Sequence, residues 1–470
     1  MEANKKPNPS SKDSVSYLPD DLLYHLLSFL STKDAALTSV LSKRWSNLLQ
    51  SVPYLDFNDS ELRNPEMGLR QIEVFKDFVD RLLSLRIKNS SSVKKVTLKC
   101  RHVGVERDRV IRWIRTVMDL GVSELAIHLD YRISNLPFSV FTSKTLVNLR
   151  MGTRIRLFRS PSDSLSPMLE SLFLDSVAFG DHKLGFKPIL SAFPWLRNMR
   201  IHESKGWYYW NGSISSSTIK KLMYISDGDS YGPKPCVSFD TPSLVYLDYS
   251  DMVADKYENL HLDSLVEVRL DLLLTANQIM RKNAPYNIPF VPGDVTTLFM
   301  GIRNVKILCL SPDALEALYY RGEEIPVFNN LICLSLGSSR RPHGSPFIFW
   351  KLLPSLLLNS INLETLIIKG LVHYVREGWE GVCRLHIDWD DVSDSMSSSG
   401  VKVLEITGYK GTCRELNQMK RFLGKLSRLE MVRVAYKAVD DGEGSRFMKD
   451  LLLLPKASSK CEIQVMKETA

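Results

Sequence analysis

Long apolar runs are missing from this chain. No window approaches about 18 unbroken apolar residues, which argues against a helical membrane span. Met1 to Ser14 is polar and carries Lys5, Lys6 and Lys12, so no secretory leader is read there. Cysteine is sparse: the seven (Cys100, Cys236, Cys309, Cys333, Cys383, Cys413 and Cys461) include no CxxC and total an odd number. That pattern argues against a disulfide framework and for a reducing compartment, the cytoplasm or the nucleus. Motifs that carry chemistry are missing as well. Gly424-Lys425 lacks the upstream glycine and following Ser/Thr of a phosphate loop, and no GxSxG elbow or HExxH is present. The nine histidines are scattered without cysteine pairs, so no metal-ligand spacing appears. His386 to Asp391 gathers a histidine and three carboxylates, but with no second ligand cluster it reads as a solvated acidic loop. Gly408 to Gly411 reads as a turn rather than an anion cradle. No catalytic residue, metal or cofactor is therefore assigned, and no membrane partner is expected.

What the chain does contain is ordinary globular material. Apolar residues make up 44% and charged residues 24% of 470 positions, enough for two or three domains or one extended repeat array. The net charge of +8 is modest, and its densest source is Lys94 to Arg115. A helix from about Arg107 would turn Val110, Ile114, Val117 and Met118 inward and leave its arginines on a solvated face. A nucleic-acid partner is not expected from this alone.

Val15 to Leu49 is a dense helical stretch. Leu18-Pro19 opens a first helix, since proline tolerates the first turn, and Asp20 and Asp21 suit a helix N-terminus. Leu22, Leu26 and Leu30 recur every four residues with Leu23 and Leu27 alongside, which predicts one broad apolar face. Ser31-Thr32 would cap a second piece carrying Ala35, Ala36, Val40 and Leu41, and Ser42 a third around Trp45, Leu48 and Leu49. Some 35 residues cannot bury that many leucines internally. The surplus face needs a partner. The order from Leu18 to Trp45 resembles the F-box of plant F-box proteins, which implies docking on the Skp adaptor of a cullin-based ubiquitin ligase. The resemblance carries the adaptor contacts onto Leu18, Pro19, Leu22, Leu26, Leu27, Leu30, Val40 and Leu41. Leu49 departs from the tryptophan many relatives carry there.

Beyond a helical stretch at Glu61 to Ile87, a spacing recurs: apolar, two residues, apolar, one residue, apolar. It starts at Val93, Val122, Leu146, Leu169, Leu196, Ile219, Leu244, Leu265, Val305, Leu331, Leu363, Val401 and Leu429. Ile, Leu, Val and Met total 141 of 470 residues, so number alone is no evidence. The intervals are: nine of twelve fall between 21 and 29 residues, the period of leucine-rich repeats. Helices at Asp294 to Ile302 and Phe347 to Leu358, and a further strand at Val382 to Ile387, would account for longer intervals. Each unit reads as a short strand with positions four and six inward, unable to cover its own apolar side without a stacked neighbour. Trp207-Tyr208-Tyr209-Trp210 packs four aromatics into a loop-like stretch and is the candidate substrate-binding group.

The stretch Val401 to Val465 reads strand, helix, strand, helix, strand. With GYKG and LLLLPKASSKCEI it resembles the FBD module of plant F-box/leucine-rich-repeat proteins. The expected fold is α/β: a polar tail at 1–14, an F-box at 15–50, a linker and first helical segment at 51–92, a leucine-rich-repeat solenoid at 93–400 with parallel strands on its concave side and helices and loops outside, and an FBD-like cap at 401–466. The function this implies is a non-catalytic substrate receptor of an SCF-type ligase, meeting cullin and RING subunits through the adaptor and holding an unknown protein substrate on the solenoid. The alternative is a repeat scaffold for protein interaction whose F-box is vestigial.

Overall fold

The computed structural model describes residues 18–40, 42–49, 52–62, 68–89, 92–100, 104–129, 133–134, 136–152, 155–157, 168–179, 186–203, 212–227, 233–275, 277–278, 293–321, 325–337, 346–370, 396–437 and 443–468. Two compact units result, one comprising Met1–Gly180 with Ser191–Trp195, the other Asp181–Leu190 with Leu196–Ala470.

The first unit opens with three helices, α1 (Asp20–Ser28), α2 (Thr32–Thr38) and α3 (Lys43–Leu49). Then come β1 (Tyr54–Asn58), α4 (Gly68–Lys88), β2 (Lys95–Cys100), α5 (Arg107–Asp119) and β3 (Glu124–Leu129). Five short strands follow: β4 (Ile133–Ser134), β5 (Asn148–Gly152), β6 (Ile155–Leu157), β7 (Ser171–Asp175) and β8 (Ala178–Phe179). Strands β1, β2, β3, β5 and β7 pair in that order, all parallel. The segment that leaves the three helices thus becomes a strand of the sheet, with Tyr54 opposite Lys95. In α4 the inward residues are Phe75, Val79, Leu82 and Leu83, joined by two buried cations, Lys76 and Arg86.

The second unit repeats the scheme with β9 (Asn198–Glu203), β10 (Ser213–Ser215), β11 (Lys221–Ser226), β12 (Val237–Asp240), β13 (Tyr246–Met252), β14 (Tyr257–His261) and β15 (Glu267–Leu273). It continues through β16 (Ile307–Leu310), β17 (Cys333–Leu336), β18 (Thr365–Lys369), β19 (Val403–Tyr409), β20 (Met431–Tyr436) and β21 (Glu462–Lys467). Its main run is β9-β11-β13-β15 and then β16 to β21 in sequence order. Each neighbouring pair in it is parallel. Helices at Thr296–Gly301 and Pro346–Leu358 fill two of the long intervals, as the spacing predicts. The strand expected at Val382 to Ile387 and the His386 to Asp391 loop lie outside the described residues.

Every one of the thirteen starts is a buried residue followed two positions later by a strand of these runs. Leu169, Leu172 and Leu174 are typical: all three side chains are buried while Ser171 and Phe173 between them are not. Position two links the repeats, its carbonyl receiving the N–H groups of positions two and three of the next. Glu364 accepts from Lys402 (2.8 Å) and Val403 (3.0 Å), and Lys402 in turn accepts from Glu430 (2.7 Å) and Met431 (3.1 Å). Polar side chains just before position one add rungs: Thr145 and Thr218 hydroxyls donate to the carbonyls of Val122 and Leu196 at 3.0 Å. A mixed α/β chain with parallel strands at this spacing, behind a three-helix unit, is the architecture of leucine-rich repeats following an F-box.

The FBD-like stretch carries the same sheet onward, with Thr365 opposite Val403 and Met431 opposite Glu462. In its GYKG turn two N–H groups already face carboxylates of this chain. The N–H of Gly408 donates to Glu468 Oε1 (2.6 Å), and those of Lys410 and Thr412 to Glu415 Oε2 (3.2 and 2.9 Å). Glycine is required at 411, where φ is +68° and a Cβ would stand 2.0 Å from the Phe447 ring. In the basic stretch Arg107, Arg112 and Arg115 are exposed and Val110, Ile114, Val117 and Met118 are buried, as the helix reading expects. Arg109 does not lie on an open face but reaches Asp80 of α4 at 2.7 Å, Lys95 meets Glu124 at 3.4 Å and Lys99 meets Asp56 at 3.9 Å.

Candidate docking surface

The three helices form by the signals the chain carries. Pro19 holds φ −55° ahead of α1, and its carbonyl accepts from Leu22 and Leu23 at 3.1 Å. Ser31 Oγ caps α2 by accepting the Asp34 N–H (3.1 Å), and Ser42 Oγ accepts that of Trp45 (3.3 Å). Arg44 of α3 clasps the start of α1, donating to Asp20 Oδ1 (2.6 Å) and the Leu18 carbonyl (2.5 Å). The clasp fixes α3 against α1.

The expected single apolar face of α1 is in fact two stripes. Leu23 and Leu27 turn inward with Ala35, Trp45, Leu48, Leu49 and Val52, and Leu18 packs against that cluster. Leu27 is 1% exposed, so its assignment as an adaptor contact is corrected: it is a core residue. Leu22, Leu26 and Leu30 turn outward, 50%, 43% and 43% exposed. The reason is helical geometry. Steps of four residues keep 22, 26 and 30 in one row and 23 and 27 in the next, roughly 100° around the axis. Pro19 and Val40 are exposed too, Val40 at 84%. Two further apolar side chains on the surface went unassigned, Phe29 and Leu37. Phe29 was findable, because it stands seven residues after Leu22 and three after Leu26 on the same row. Leu41 and the Trp207 to Trp210 group lie outside the described residues. Leu49 belongs to the core, so its departure from tryptophan alters packing rather than the exposed row.

Nothing in this surface suggests group chemistry. Among the described residues no three of His, Cys, Asp or Glu are placed to hold a metal ion. No described helix is long and apolar enough to cross a membrane. The surface can exclude water with a partner's apolar face, and that is its chemistry.

A three-helix unit with an apolar row, followed by parallel-strand repeats, defines an F-box protein of the leucine-rich-repeat class. Comparison with known sequences agrees: the F-box domain family matches residues 15–57. An F-box protein of Arabidopsis thaliana is 68% identical over the full length of both chains. An F-box/LRR-repeat protein of that plant is 40% identical over 97% of this chain and 98% of its own length, and another 39% identical over 97% and 100%. The chain belongs to the plant F-box/LRR-repeat family.

Proposed function

We propose that this chain is the substrate-recognition subunit of an SCF-type ubiquitin ligase. One observation carries the reading: an F-box that has built its own core still keeps Leu22, Leu26 and Leu30 in an exposed row. Leaving large apolar side chains aligned in water is unfavourable unless a partner covers them. The row, with Leu18, Pro19, Val40 and Leu41, docks on the Skp adaptor and so reaches cullin and RING subunits. The repeats at 93–400 hold a protein substrate, with Trp207, Tyr208, Tyr209 and Trp210 as the contact group, and the FBD-like stretch at 401–466 closes the sheet. The chain itself is non-catalytic. It accelerates transfer by holding the substrate's lysines near the charged ubiquitin carrier. Its compartment is the cytoplasm or nucleus.

The test is calorimetric titration of the purified chain with a plant Skp-type adaptor. Covering the rest of each half-exposed leucine is worth about 1–1.5 kcal/mol, so Leu22→Ala with Leu26→Ala should weaken binding roughly 30- to 140-fold. The helical circular dichroism should stay unchanged. Undiminished affinity in the double variant would sink the docking role, and a native chain that binds no adaptor would favour the vestigial-F-box scaffold.

A further inference from the structure

Arg86 takes no part in the docking row, yet it is among the largest fully buried side chains in the protein. It sits in the last turn of α4, and its Nη2 donates to the carbonyl oxygens of Leu49 and Val52, each at 2.8 Å. Leu49 ends α3. Its carbonyl is one of those a helix C-terminus leaves without an intrahelical partner, and the helix dipole favours a cation there. Burial pulls the Arg86 pKa down to about 10, which still leaves the group charged at neutral pH. An apolar side chain would fill the space with a smaller desolvation penalty. What the guanidinium adds is direction, because one nitrogen must meet two carbonyls at the end of the helical unit.

A second, half-buried tie crosses the same junction. Thr32 Oγ1, in α2, accepts the backbone N–H of Asp56 in β1 at 2.6 Å. Val52 belongs to the helical core, and two residues later β1 begins pairing with β2. The F-box family match ends at residue 57, inside that strand. Helical unit and sheet therefore share an element rather than meeting through a free tether.

We propose that Arg86 is a positioning residue: it locks the three-helix unit to α4, so that the exposed leucine row holds one orientation relative to α4 and α5. In a ligase this would hold that row at a set orientation to the first repeats. That consequence rests on the docking reading; the lock itself does not.

The test uses the full chain, with spin labels on non-canonical residues introduced at Lys43 in α3 and Asp119 at the end of α5. Double electron–electron resonance should give one narrow distance in the native chain and a distribution at least twofold wider in Arg86→Met. Arg86→Lys, whose single ammonium can face both carbonyls, should restore the narrow distance. Adaptor affinity should change by less than about twofold, since the row is untouched. Arg86→Met as narrow as native, or Arg86→Lys as wide as Arg86→Met, would overturn the proposal. Should Arg86→Met not fold, Arg86→Gln replaces it. If neither folds, Arg86 holds the whole unit rather than an orientation, and the proposal fails. A native chain that binds no adaptor defeats the docking reading and leaves the distance result standing.

Discussion

Glu203 closes β9 beside one lysine that must serve two carboxylates. The Tyr224 hydroxyl donates to Glu203 Oε2, and Lys234 Nζ donates to Asp251 Oδ2 (2.6 Å) and to the Tyr224 oxygen (3.1 Å). Tyr224, Tyr249 and Asp251 are buried. Burial pushes the Glu203 carboxyl up to about 7, against the pull of Lys234 and the Tyr224 hydrogen bond and with the push of Asp251. The folded pKa thus lies above the ordinary 4.5, so the protonated form stabilises the fold. That stability is complete below pH 4.5 and is lost as pH rises through about 7. Glu203→Gln, which cannot ionise, should flatten the decline and leave the variant the more stable form at about pH 8. His202, paired with Asp227 at 3.3 Å, also acts on Glu203, so both forms are compared in a His202→Asn background to isolate Glu203. Equal slopes for the two across this window would refute the coupling. None of this was legible in the sequence, because Glu203, Tyr224, Lys234 and Asp251 come from three repeats and no local spacing joins them.

Elements were far more legible than such networks. Thirteen strand positions follow from one apolar spacing, because parallel stacking buries positions one, four and six whatever the neighbouring loop does. The smaller sheets are not legible in this way: β4-β6-β8 and β10-β12-β14 consist of short strands, some only two or three residues long. Two residues cannot display a period. In α1 the apolar content was plain, but which leucines faced inward was not. With Leu22, Leu23, Leu26, Leu27 and Leu30 all present, the pattern spans two rows, and only the positions of Trp45 and Leu48 decide between them. The distinction has a measurable consequence. Leu27→Ala should cost about 2–5 kcal/mol locally, as buried leucine truncations do, and speed hydrogen exchange across α1–α3. Leu22→Ala should leave exchange near native. Similar exchange in the two variants would contradict the two-row assignment.

Across the molecule, charge and edges obey long-range rules that composition hides. Lys94 to Arg115 looks like a basic patch in the sequence, yet three of its cations meet counter-charges from elsewhere: Lys99 meets Asp56 on β1, Arg109 meets Asp80 on α4 and Lys95 meets Glu124 on β3. Edges matter more, because a stack of parallel strands leaves a row of unpaired N–H and C=O groups wherever it stops. In the second unit β19, β20 and β21 pair onward from β18, and two helices accompany them, Cys413–Lys425 and Glu443–Leu452. The first is held by a full capping box between Thr412 and Glu415. Those strands cover β18, whose Leu366 and Ile368 are buried. Ending the chain after Gly400 would uncover the β18 edge and the apolar side chains that Leu404 and Ile406 now pack beside. In a repeat array such an end favours self-association, because another copy's edge is its nearest substitute. The truncated chain should elute as dimers or larger species in size-exclusion chromatography with light scattering, at concentrations where the full chain does not. Its second-unit amides next to residue 365 should exchange faster, while α1–α3 keep native protection. A monomeric, fully protected truncation would mean that β18 tolerates an open edge and that the closing role of residues 401–466 is wrong.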